Sequence, residues 1–161
     1  MKKLYFFKLF FLLLLCNSFA QNQQDYSNHA TLTQRIKLLG DKYPQFVKSR
    51  ILTQTLGGKS IWMITIGTGS TDKKPAVAVV GGVDGKHLLG VEMAIGFAEK
   101  LLAKANTDSV KTLLNKQTFY VFPNMSPDAT EQYFAKLKYE RSGNATKTDD
   151  DRDGRENEDG T

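Results

Sequence analysis

From Pro75 to Leu102 the chain reads PAVAVVGGVDGKHLLGVEMAIGFAEKLL, an apolar run that gives way to helical periodicity. Ala76-Val77-Ala78-Val79-Val80 is the pattern of a central strand buried in a parallel sheet, and Gly81-Gly82 stop it. Val91, Ala94, Ile95, Ala98, Leu101 and Leu102 then recur at the spacing of one helix face, with Glu92, Glu99 and Lys100 off it. Strand, turn and helix in that order demand an α/β sheet with the helix packed upon it. In such sheets ligands sit beyond the carboxyl ends of strands. The turn here carries Asp84 and His87, two potential metal ligands three residues apart.

The flanking sequence supplies the rest of a sheet. Thr31 is the expected cap of a helix whose Leu32, Ile36, Leu39 and Tyr43 share a face, with Pro44 ending it. Arg50 to Leu56 and Ser60 to Ile66 are strand-like, and Gly57-Gly58 between them signals a hairpin that turns Trp62, Ile64 and Ile66 to one side. After the helix at 89–104, Asp108 to Leu114 predicts a short helical turn, Thr118 to Phe122 a strand, and Pro123 to Asp128 a turn. Gln132 to Tyr139 predicts a short helix, and beyond Arg141 periodicity disappears. The fold class is therefore α/β, a mixed β-sheet flanked by helices. With no closing strand or helix after the last acidic loop, the sheet reads as truncated.

A chain of 161 residues predicts one domain. Residues 1–20 read as a signal peptide: Lys2-Lys3 and Lys8 accompany the apolar run Leu9 to Leu15, and Ser18-Phe19-Ala20 offers small residues for cleavage before Gln21. The run is short for a membrane span, so the expected location is secreted or periplasmic, with no membrane after cleavage. Lipid attachment through Cys16 is disfavoured because Leu15 stands where a small residue belongs. Cys16 is the only cysteine, so the remaining chain has no thiol or disulfide chemistry. Subtracting residues 1–20 lowers the net charge from +5 to +2, which removes most of the argument for nucleic acid. Residues 21–29 form a polar lead-in, where His29 reads as a solvated side chain without a ligand partner.

Four stretches together resemble the amino-terminal part of the zinc carboxypeptidase, or metallocarboxypeptidase, family. A helix ending Lys42-Tyr43-Pro44 leads into a hairpin and IWMITIG; AVAVVGGVDGKHLLGVE is similar to the metal-binding strand and turn written GGIHxxE; Phe122-Pro123-Asn124-Met125-Ser126-Pro127-Asp128 is similar to PNxNPDG; and Asp149-Asp150-Asp151-Arg152-Asp153 lies where the family shows DxNRN. The resemblance implies that residues 30–161 are the front portion of a catalytic domain that binds zinc and acts on the carboxyl terminus of a peptide or protein substrate. It also implies that Asp84 and His87 stand for the family's histidine and glutamate in exchanged order, DxxH for HxxE. Zinc accepts both oxygen and nitrogen, so the exchange keeps the ligand types; ordinary turn residues are the alternative reading.

By the same resemblance Arg152 would pair with the substrate carboxylate, Asp151 stands beside it, and Arg141 would polarise the scissile carbonyl. An ion pair of Arg152 with its acidic neighbours explains it as well. The family's third ligand and general base have no counterpart here, so no catalytic residue lies within the chain and the piece alone is expected to be inactive. A catalytically dead peptide- or calcium-binding module is the competing class. Asp149, Asp151 and Asp153, followed by Gly154, open like a calcium loop, yet Gly160 stands where a bidentate glutamate is needed. A solvated acidic loop is the alternative there. A nucleotide-binding α/β domain is a third and poorer reading, because the turn lacks the GxGxxG spacing and Asp84 would repel a phosphate.

Overall fold

The structure is a computed structural model and describes residues 26–146. The expected signal peptide, Asp149, Asp151, Arg152 and Asp153 lie outside the described residues. Helix α1 spans His29–Lys42, and a hairpin follows, β1 at Val47–Gln54 and β2 at Ser60–Ile66. Strand β3 is Ala76–Val80, helix α2 Leu88–Ala103, helix α3 Asp108–Lys116, strand β4 Thr118–Phe122 and the short helix α4 Pro127–Glu131.

The four strands form one sheet in the order β1-β2-β4-β3. β1 pairs antiparallel with β2, β2 antiparallel with β4, and β3 parallel with β4 from Ala76↔Thr118 to Val80↔Phe122, so the sheet is mixed as predicted. The hairpin turns at Gly57-Gly58, where Gly58 takes the positive φ of 73° that glycine allows.

One core unites helices and sheet. Leu32, Ile36 and Leu39 of α1 and Val91, Ala94, Ile95, Ala98 and Leu102 of α2 pack with Ile64, Ile66, Phe119 and Val121. Full burial of each large aliphatic side chain contributes about 1.5–3 kcal/mol. Half-buried Trp62 packs against this cluster too, so Trp62, Ile64 and Ile66 do share a side. Above the core Arg35 joins the helices: its Nε and Nη2 donate to the two Glu99 carboxylate oxygens at 2.8 Å each, and Nη1 donates to Glu92 Oε2 at 2.5 Å. Ser27 N–H donates to the other Glu92 oxygen at 2.7 Å. Hydrogen bonding to Glu99 raises the Arg35 pKa above its usual value. Burial would raise the Glu92 pKa, but the hydrogen bonds from Arg35 and Ser27 outweigh it and lower it.

Four expectations need correction. β3 is an edge strand rather than a central one: among the described residues only β4 pairs with it, and Val77 and Val80 are 42% and 49% exposed. An unbroken apolar run reads as burial on both faces, but the described sheet covers only part of it. Asn28, not Thr31, caps α1, because its Oδ1 accepts the Thr31 N–H at 2.8 Å and satisfies a first-turn donor. The helix therefore starts inside the expected polar lead-in, and His29 is half-buried rather than solvated. Finally, the region at 132–139 holds only a 3-10 turn, Gln132–Phe134, because the helix begins earlier, with Pro127 in its first turn.

Candidate metal-binding turn

β3 ends at Val80 and α2 starts at Leu88, leaving residues 81–87 to form the turn. A second segment, the one after β4, clasps it. Met125 and Ser126 N–H donate to the Gly81 and Gly82 carbonyls at 3.1 and 2.8 Å, and Ser126 Oγ donates to the Val83 carbonyl at 2.7 Å. Buried Asn124 holds the clasp in shape: Oδ1 accepts from Ser126 N–H at 3.1 Å and Nδ2 donates to Thr130 Oγ1 at 2.7 Å. Gly82 has φ 57°, and a Cβ there would stand 2.5 Å from Asn124 Oδ1. Gly85 is pressed from the other side, where a Cβ would lie 2.2 Å from Ala129 Cβ and 2.6 Å from the Arg141 carbonyl. The glycine backbone packs directly against neighbouring side chains and backbone, which is why the turn is glycine-rich.

Asp84 and His87 project from this fixed turn. Lys86 N–H donates to Asp84 Oδ1 at 2.9 Å, and His87 N–H donates to the Asp84 carbonyl at 3.1 Å. Asp84 Oδ2 is left over, 3.9 Å from His87 Nδ1, with the side chains 43% and 76% exposed respectively. His87 occupies the N-cap position of α2 but makes no capping hydrogen bond, so its ring is uncommitted among the described residues. Two ligands of one tetrahedral zinc, each at ~2.1 Å, lie about 3.4 Å apart, so 3.9 Å needs only a small side-chain rotation. An oxygen and a nitrogen at this spacing fit two positions of a zinc shell. Among the described residues no group of three or more His, Cys, Asp or Glu side chains could hold a metal.

Arg141 reaches the same turn by its backbone: Gly85 N–H donates to the Ser142 carbonyl at 2.8 Å, beside the Arg141 carbonyl. Its guanidinium goes elsewhere. Nη2 donates to the Asn144 carbonyl at 3.2 Å, and the side chain lines a cleft of about 240 Å³ with Gly57, Lys59, Asp128, Glu131 and Gln132. Asp84 and His87 do not line that cleft. Asp128 ties its walls together: Oδ1 accepts from Thr55 Oγ1 at 2.7 Å, while Oδ2 accepts from Ala145 N–H at 2.9 Å and Gly57 N–H at 3.3 Å. The sequence reading missed the duties of Asn124, Ser126 and Asp128. Their signal was the stretch PNMSPD, read as a turn and as a family likeness but not as a clasp.

The model of the zinc carboxypeptidase family matches residues 32–161. Carboxypeptidase E of Caenorhabditis elegans is 28% identical over 111 residues, 66% of this chain and 24% of that protein. Carboxypeptidase D of Anas platyrhynchos is 25% identical over 123 residues, 74% of this chain and 9% of that protein. The matched region thus spans a quarter or less of either relative. Among solved structures, bovine thrombin-activatable fibrinolysis inhibitor in complex with tick carboxypeptidase inhibitor superposes with a TM-score of 0.64 at 15% identity, covering 76% of this chain and 38% of that one. Carboxypeptidase A of Helicoverpa armigera gives 0.62 at 16% identity, covering 73% and 29%. These likenesses carry the fold, and the family match carries the descent: the chain belongs to the zinc carboxypeptidase family.

Proposed function

We propose that the protein is a secreted metallocarboxypeptidase-like protein in which Asp84 and His87 supply two ligands to a zinc ion. The carrying observation is the 3.9 Å approach of Asp84 Oδ2 to His87 Nδ1 on a turn whose backbone is clasped by the segment after β4. Rigid backbone beneath open side chains suits a metal site, since ligand geometry is then set before the metal arrives. Asp84 would give a carboxylate oxygen kept in place through Lys86 N–H, and His87 a ring nitrogen. Zinc at such a site supplies Lewis acidity toward a peptide carbonyl and acidifies bound water. Further ligands and a general base must come from outside the described residues. Arg141 and Arg152 are proposed as anchors for a peptide substrate and its terminal carboxylate, the task for which a guanidinium fork is suited.

The second reading, a binding module without catalysis, is favoured by the exchanged ligand order together with the absence of a third ligand among the described residues. Zinc content and release of carboxyl-terminal residues from peptides by the protein carrying this domain separate the two. Stoichiometric zinc that falls on substituting Asp84→Ala or His87→Ala, with hydrolysis falling alongside, supports the enzyme. Substoichiometric zinc and hydrolysis unchanged by both substitutions would remove it.

A further inference from the structure

The start of helix α1 meets the start of β2, where His29 Nε2 accepts the Ser60 N–H at 3.3 Å. His29 Nδ1 is a buried polar atom without a hydrogen-bond partner among the described residues. Because Nε2 accepts, the ring proton sits on Nδ1, where it has no acceptor.

Three elements meet at His29. The helix α1 carries it, β2 donates to its ring, and α4 accepts its backbone N–H through Glu131 Oε2 at 2.8 Å. The charged groups facing it are Glu131 and Asp128 from α4 and Lys59 from the hairpin turn. We propose that His29 is an acid-sensitive latch: as a neutral ring it fastens α1 to the first residue of β2, and when protonated it leaves Ser60 for the Glu131 carboxylate. The exchange follows from valence. Protonated Nε2 has no lone pair for the Ser60 N–H, and a carboxylate bonded to the same residue's backbone stands ready to receive a cation. Glu131 and Lys59 also line the 240 Å³ cleft, so releasing the latch alters the cleft walls.

Burial lowers the His29 pKa, opposed by Glu131, supported by Lys59 and opposed more weakly by Asp128. A histidine with a lowered folded pKa takes up a proton more readily when unfolded. Its contribution to stability is complete above the ordinary histidine value of ~6.5 and is lost as pH falls through the folded value.

Ring-nitrogen NMR and Ser60 amide exchange on the full chain test this. At pH 7.5 the expected ring form is the Nδ1–H tautomer; an Nε2–H tautomer would overturn the latch whatever any variant does. Protection of the Ser60 amide, corrected for intrinsic exchange, is expected to fall by up to about tenfold per pH unit as pH descends toward the folded pKa, and to level off below it. In His29→Gln, whose amide oxygen still accepts but does not titrate, that fall is expected to disappear. Equal protection in the wild type at pH 7.5 and pH 4.5, or an undiminished fall in His29→Gln, contradicts the proposal.

Discussion

The Arg35 junction and the Asp84–His87 turn both set carboxylates beside side-chain nitrogens, but they use them differently. At the junction three guanidinium nitrogens meet Glu92 and Glu99 at 2.5–2.8 Å, and the Arg35 and Glu92 side chains are only 25% and 20% exposed. At the turn the closest approach is 3.9 Å, with His87 open to solvent. The first set of charges is spent on holding helices together. The second stays available because the Asn124–Ser126 clasp, made of backbone and neutral side chains, does the structural work beneath it.

Overfilling the turn should have the largest effect. Gly85→Ala forces a methyl into Ala129 and the Arg141 carbonyl, and is expected to cost about 3 kcal/mol in denaturant unfolding. Arg35→Met leaves two carboxylates without their partner and is expected to cost about 2 kcal/mol. Asn124→Ala removes the amide donor to Thr130 Oγ1 and one of the two acceptors of the Ser126 N–H, which keeps the Gly82 carbonyl, for about 1 kcal/mol in the same assay. The junction should also respond to acid. Because the folded Glu92 pKa is lowered, its contribution is complete above the unfolded carboxyl value near ~4.3 and is lost as pH falls through the folded value, a loss absent in Glu92→Gln. His87→Ala, by contrast, should change stability by less than about 0.5 kcal/mol, since its ring makes no hydrogen bond among the described residues. A larger cost would show that the turn, like the junction, spends its charges on the fold.

The helix face of α2 and the hairpin at Gly57-Gly58 were legible because each is a local signal, a period or a dipeptide. The parallel pairing of β3 with β4 needed the helix between them, which the sequence also displayed. What stayed hidden was long-range. Nothing in the local sequence of Asn124 or Ser126 announces a hydrogen bond to a turn some 40 residues earlier. His29 was misread for the same cause: its neighbours in sequence are polar, while its neighbours in space are Ser60 and Glu131. Asp84 and His87 were identified as a pair from spacing alone, and the structure brings them within 3.9 Å. Arg141 was identified with them, yet its backbone joins their turn while its guanidinium donates to the Asn144 carbonyl and the residue lines a separate cleft.

Zinc titration followed by the ring resonances of the two histidines tests the metal-ligand proposal most directly. Zinc is expected to shift the His87 ring and leave the His29 ring in place, with the midpoint moving to higher zinc in Asp84→Asn. A His87 ring indifferent to zinc, or one whose midpoint is the same in Asp84→Asn, would contradict a shared site.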